Sequence, residues 1–120
     1  MSTASGEQAH AEGYSTTASG GPASHSEGAF SVASGKYSHT EGLRTIANHR
    51  SQHVFGERNI EDTSDAANTA RGTYIEIVGN GTANDARSNA RTLDWDGNEV
   101  LAGKLTVGIA PTNNMDVATK

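Results

Sequence analysis

The sequence predicts an all-β chain: a parallel β-roll over residues 1–63, then a β-hairpin-rich module over residues 64–120. Three observations carry this. A short phrase is written four times in the first half, Gly, Ser and Thr crowd that half, and alternating strand patterns replace the phrase after residue 72.

The phrase is Ala-Ser-Gly, a spacer, His, a small residue, Glu and Gly. It runs Ala4-Ser5-Gly6…His10-Ala11-Glu12-Gly13, then Ala18-Ser19-Gly20…His25-Ser26-Glu27-Gly28, then Ala33-Ser34-Gly35…His39-Thr40-Glu41-Gly42. A decayed copy follows, Ala47-Asn48-His49…His53-Val54-Phe55-Gly56. The histidines step by 15, 14 and 14 residues, the extra one lying in Gly21-Pro22-Ala23-Ser24. So short a period excludes helical-pair repeats, and so much glycine disfavours helix. Two short strands per copy, stacked coil on coil at about 4.8 Å, fit it. Strand alternation puts His39 and Glu41 on one face and Ser38 and Thr40 on the other. The small residues suit the inside of a narrow coil, so His and Glu face out.

Apolar content bounds the packing. Before residue 61 the large aliphatic and Phe residues are Phe30, Val32, Leu43, Ile46, Val54, Phe55 and Ile60. Such a segment cannot offset its ordering entropy as a lone globule, so stacked backbone bonds, partner chains or both are expected, and with them an oligomer. The chain lacks cysteine, which excludes disulfides and thiolate metal sites. Its net charge of −5 comes without a basic stripe, so no nucleic-acid partner is expected; nor is a membrane one, since no signal peptide or apolar span is visible.

In the second half, Ser64–Ala70 reads as a connector. Thr73–Val78 reads as a strand closed by Gly79-Asn80-Gly81. Arg91–Trp95 and Glu99–Ala102 flank Asp96-Gly97-Asn98 as a hairpin, and Lys104–Ile109 reads as a further strand. Trp95 is expected to be a core or interchain anchor. Asp94-x-Asp96 looks like part of a Ca²⁺ loop, but the remaining ligands are missing and hairpin chemistry explains it better. Asn80-Gly81-Thr82 matches a glycosylation sequon and is read as a turn.

The order Val32-Ala33-Ser34-Gly35-x-x-Ser38-x-Thr40-x-Gly42 resembles the head repeat of trimeric autotransporter adhesins, which also occurs in phage tail fibres. Over residues 2–60 the resemblance implies a left-handed parallel β-roll packed as a homotrimer about a central axis. The family's inward Ile position is occupied here by Ser5, Ser19, Ser34 and Asn48, so a more polar interior is expected. Tyr74–Thr82 with Ser88–Trp95 resembles the shaft modules of tail fibres from phages and prophages of Gram-positive bacteria. Pro111–Lys120 resembles the junction into a following module. These resemblances imply a virion structural protein serving host attachment, assembled in the host cytoplasm. Its partners would be other tail or baseplate proteins and host cell-surface polysaccharide.

The candidate sites follow from the repeat. His10, His25, His39 and His53 should stack, with Glu12, Glu27 and Glu41 two positions along. Imidazole and carboxylate can ligate metals, but each copy offers only two donors and the next coil is expected to add distance. A solvated or interchain ladder, in which His relieves carboxylate repulsion, is the favoured reading, with no metal or other cofactor. Tyr14, Phe30, Tyr37 and Phe55 are candidate surface contacts for a receptor or sugar, and interchain packing explains them equally well. No catalytic triad or isolated carboxylate pair stands out, so no enzymatic activity is expected. The alternatives are a single-chain solenoid presenting a repetitive face to polysaccharide or ice, and a bacterial surface adhesin. Thr16-Thr17, Ser31-Val32 and Thr45-Ile46 do not form the repeated Thr row that ice would favour.

Overall fold

In the computed structural model, which describes residues 1–110 and 112–113, all regular structure is β and the N-terminal part is a β-solenoid of about three turns. The junction sequence Pro111–Lys120 lies outside the described residues except at Thr112 and Asn113. Each coil contributes two short strands, of two residues except for the longer last one. One row is β1 (Thr3–Ala4), β3 (Thr17–Ala18), β5 (Val32–Ala33) and β7 (Ile46–Ala47), paired in parallel in that order. The other is β2 (His10–Ala11), β4 (His25–Ser26), β6 (His39–Thr40) and β8 (His53–Glu57), also parallel. A third line of single bridges runs Tyr14–Ala29–Leu43–Glu57.

The inserted residue near Pro22 is absorbed at a corner. His10 pairs with His25 and His25 with His39 in the same register, although the first pair is one residue further apart in sequence. At two corners of each coil a non-glycine residue takes positive φ, as in Ala23, Tyr37 and Ser51, and in Phe30, Arg44 and Arg58. There the amide turns back to the preceding coil, Tyr37 donating to Pro22 and Phe30 to Tyr14, whereas strand amides such as those of His25 and Val32 donate to the following coil. Each coil is thereby tied to both neighbours.

The interior is polar, but through different residues from those the family pattern indicated. Ser5 and Ser19 are exposed, and Ser34 and Asn48 half-buried. Their neighbours Ala18, Ala33 and Ala47 point inward instead, because strand alternation gives adjacent residues opposite faces. The polarity comes from buried Thr16, Ser24, Ser26, Ser31, Ser38, Thr40 and Thr45. Two pairs of them bond across coils, Ser26 with Thr40 at 2.9 Å and Thr45 with Ser31 at 3.0 Å, and Ser38 donates to the Gly35 carbonyl. Burying a hydroxyl costs little once it is hydrogen-bonded, and the narrow lumen leaves no room for larger apolar groups.

The decay of the fourth copy is the cap of the solenoid. Where earlier coils carry Gly, Ser and Thr, this one carries His49, Gln52 and Val54, all buried. Asn59 follows and closes the end of its column, its side chain accepting from the Ile46 amide at 2.8 Å and donating to the Ile46 carbonyl at 3.1 Å. On the β7 side no further strand follows, so larger side chains cover that end of the coil.

The second half continues the same sheet. β9 (Tyr74–Asn80) pairs in parallel with β8, β10 (Asn89–Asp94) antiparallel with β9, and β11 (Glu99–Leu101) antiparallel with β10. The Asp-Gly-Asn hairpin forms as expected: the Asp94 carboxylate accepts from the Asp96 and Asn98 amides, and Gly97 takes φ +85°. Those bonds, with the Asn98 side chain, hold the Asp94 carboxyl below its ordinary pKa, which is hairpin chemistry. Ile77 joins Val54 and Ala47 as the apolar core, with Tyr74 packed against it. Trp95 is half-buried; its indole N–H donates to the Arg71 carbonyl at 3.0 Å and the Arg71 guanidinium lies over the ring. It pins the connector to the hairpin.

One expected strand does not form. Residues 104–109 pair with no described strand and leave Leu105 and Ile109 exposed. The apolar alternation is there, but among the described residues no strand lies beside it to offer its backbone groups a ladder.

Candidate functional site: the histidine–glutamate ladder

The repeat register sets the site. Because β2, β4, β6 and β8 pair residue for residue, His10, His25, His39 and His53 form one outward column. Their ring centroids are 4.6, 4.5 and 5.1 Å apart, and the rings of His25 and His39 are parallel to within 3°. The intervening residues Ser26, Thr40 and Val54 point inward and are fully buried. The expectation that His and Glu face out is met.

The carboxylates sit between histidines of successive coils. Glu12 lies 3.6 Å from His10 Nε2 and 3.7 Å from His25 Nε2. Glu27 lies 3.9 Å from His25 Nε2 and 3.4 Å from His39 Nε2. Glu41 reaches His53 Nε2 at 3.1 Å, a hydrogen bond. The coils therefore converge donors, contrary to the sequence expectation that stacking would separate them. Two groups result, His10–Glu12–His25 and His25–Glu27–His39, each with one donor atom per residue and all within 4.8 Å of one another. The Nε2 atoms of His25 and His39 are enclosed yet have no hydrogen-bond partner.

The sequence reading missed the end of the ladder. His53 pairs in register with Glu76 of β9, whose carboxylate is 3.7 Å from His53 Nδ1, so a glutamate continues the histidine column. The alternation of Tyr74-Ile75-Glu76-Ile77 was the available signal, since it places Glu76 opposite the buried Ile77. Arg91 on β10 then bonds both Glu76 and Glu99.

The aromatic candidates do not form one patch. Tyr14 and Phe30 meet edge to face with centroids 5.2 Å apart, and the Arg44 guanidinium lies over Phe30 at 4.2 Å. Tyr37 is exposed at a different corner beside Lys36. Phe55 takes the glutamate place in the last coil and packs on His53.

A second polar centre closes the solenoid. Asp62 is buried, and its Oδ2 accepts from Gln52 at 2.7 Å, the Thr73 amide at 2.8 Å and the Tyr74 amide at 3.1 Å. Its Oδ1 accepts from the Ser64 amide at 3.0 Å. Burial pushes this carboxyl up, but the amides of Ser64, Thr73 and Tyr74, with His49 alongside, outweigh it and hold the group below its ordinary value.

Fold and ladder together define a parallel β-solenoid with a hairpin extension and an outward row of alternating imidazoles and carboxylates. No family model matches the chain, and neither a curated protein nor a solved structure matches it. Among the described residues no helix is long and apolar enough to cross a membrane.

Proposed function

We propose that the chain is a structural and adhesive segment of a bacteriophage tail fibre or phage-tail-like particle, working as a homotrimer of left-handed coils with a 14-residue repeat. The observation that carries this reading is the thinness of the core. Among the described residues the buried hydrophobic side chains are Ala18, Ala33, Ala47, Val54 and Ile77, while Tyr14, Phe30, Tyr37, Ile60, Val100, Leu101, Leu105 and Ile109 are exposed. An exposed apolar set of this size beside so small a core is what a chain that packs against copies of itself presents. The role is mechanical: backbone ladders between coils and a shared core between chains give stiffness from few apolar residues. The fibre holds a receptor-binding tip away from the particle or forms part of it, with tail or baseplate proteins and host polysaccharide as partners.

Solution mass by light scattering tests this. Three chains per particle at micromolar concentration is the expected result. A stable monomer overturns the shared-core argument. It would favour instead a single-chain solenoid displaying one face to a polysaccharide, for which the Tyr14–Phe30–Arg44 stack is the candidate contact.

A further inference from the structure

We infer that the ladder binds one divalent transition-metal ion per chain, Zn²⁺ serving as the reference case, through His25 Nε2, His39 Nε2 and the Glu27 carboxylate. Two imidazoles and a carboxylate are a recognised Zn²⁺ donor set that leaves a position for water. Two donors bound at about 2.0–2.1 Å to one tetrahedral ion lie roughly 3.3 Å apart. Glu27 Oε1 lies 3.4 Å from His39 Nε2 and Oε2 lies 3.9 Å from His25 Nε2, and one donor atom from each of the three residues falls within 4.8 Å of the others. Closing on one ion requires the two parallel imidazoles to tilt toward each other and the carboxylate to rotate, which half-exposed side chains can do.

A second, independent observation points to a ligand. The Nε2 atoms of His25 and His39 are both enclosed and both lack a hydrogen-bond partner, although a carboxylate lies close to each. Nitrogen and oxygen donors that are near one another but not aimed at one another are arranged for a third body between them. His53 differs, because its Nε2 is satisfied by Glu41.

The same geometry limits the stoichiometry. The group His10–Glu12–His25 also needs His25, and the Nε2 facing Glu12 is the one facing Glu27. One nitrogen lone pair serves one ion, so the two groups exclude each other. The second is favoured because both its imidazole nitrogens are enclosed and its side chains are less exposed than those of His10 and Glu12. The inference concerns residues of a single chain and does not rest on chain association.

Titration calorimetry of the full chain with ZnCl₂ in a non-chelating buffer tests it, alongside the imidazole Cε1–Hε1 signals in NMR. The expected result is one ion per chain, with signals of His25 and His39 shifting most and that of His49, which lies outside the column, staying. His25→Gln and His39→Gln should each weaken binding roughly tenfold or more, the scale on which losing even an outer partner weakens a metal site. His53→Gln should leave it unchanged. All three side chains face outward, so the variants fold, and unchanged circular dichroism verifies that. Absence of heat and of shifts at millimolar Zn²⁺ overturns the site. Two ions per chain, or affinity retained in His25→Gln, overturns the shared-donor assignment.

Discussion

Replacing Gly28 with Ala should cost about 3–5 kcal/mol of stability, enough to unfold a marginal chain, since overpacking and a glycine-only backbone conformation each contribute about 1–3 kcal/mol. Gly28 belongs to a column, Gly13, Gly28, Gly42 and Gly56, in which every residue has positive φ near +100°. A Cβ on Gly28 would overlap the Gly42 carbonyl oxygen of the next coil, and that oxygen is already engaged by the Ala29 amide. Neither coil can retreat without breaking the ladder on its other side. Gly97 is the control: its φ is +85°, yet nothing lies within 4 Å of an added Cβ. Gly97→Ala should therefore cost only about 1–2 kcal/mol, the conformational part. Denaturant unfolding of both variants followed by circular dichroism decides the matter. Equal losses would sink the claim that coil-to-coil approach, rather than φ, demands these glycines. The other glycine column makes the same point. Gly20 and Gly35 lack positive φ, and a Cβ there would still overlap the carbonyl oxygens of Gly35 and His49.

The second large effect is expected at Asp62. Asp62→Ala strips acceptors from Gln52 and from the amides of Ser64, Thr73 and Tyr74 at once. Hydrogen bonds to a charged group contribute about 1.5–3 kcal/mol each, and some are recovered by water, so a loss of about 3–4 kcal/mol is expected. The loss should be local in origin, because this carboxylate joins the last coil to the connector and to the start of β9. It should also depend on pH. The folded-state pKa lies below the unfolded value, so the contribution is present in full above about pH 4, near the ordinary Asp pKa. It is lost as pH falls through the folded pKa. Asp62→Asn keeps the shape and removes the titration, so its stability should change less than the natural chain's between pH 6 and pH 3. An unaltered acid slope in Asp62→Asn would show that other carboxylates carry the acid sensitivity.

The regular part of the fold was legible because it is periodic. The repeat spacing names the residues that pair, and the pairing of His10, His25, His39 and His53 follows from it. Strand alternation gave the outward face of His and Glu and the inward face of Ser26 and Thr40, since that rule is local to two adjacent residues. The Asp-Gly-Asn hairpin was legible for the same reason: its turn chemistry lies within five residues. The choice of inward column was not. Ala18 and Ser19 are both small, so size could not say which of them lines the lumen. For 104–109 the alternating pattern was real, but pairing needs a neighbour that no local pattern supplies.

The sequence by itself therefore determined the class, the register and the outward face of the His–Glu column, because these depend on period and alternation along one chain. The tertiary structure alone decided where separated residues converge. It set Glu27 between histidines of two coils, put Glu76 at the end of the histidine column, turned the irregular fourth copy into a cap, and brought Gln52 and the Thr73 and Tyr74 amides to Asp62. Those outcomes depend on inter-coil spacing and on a chain return of ten or more residues, distances over which a linear pattern carries no geometry.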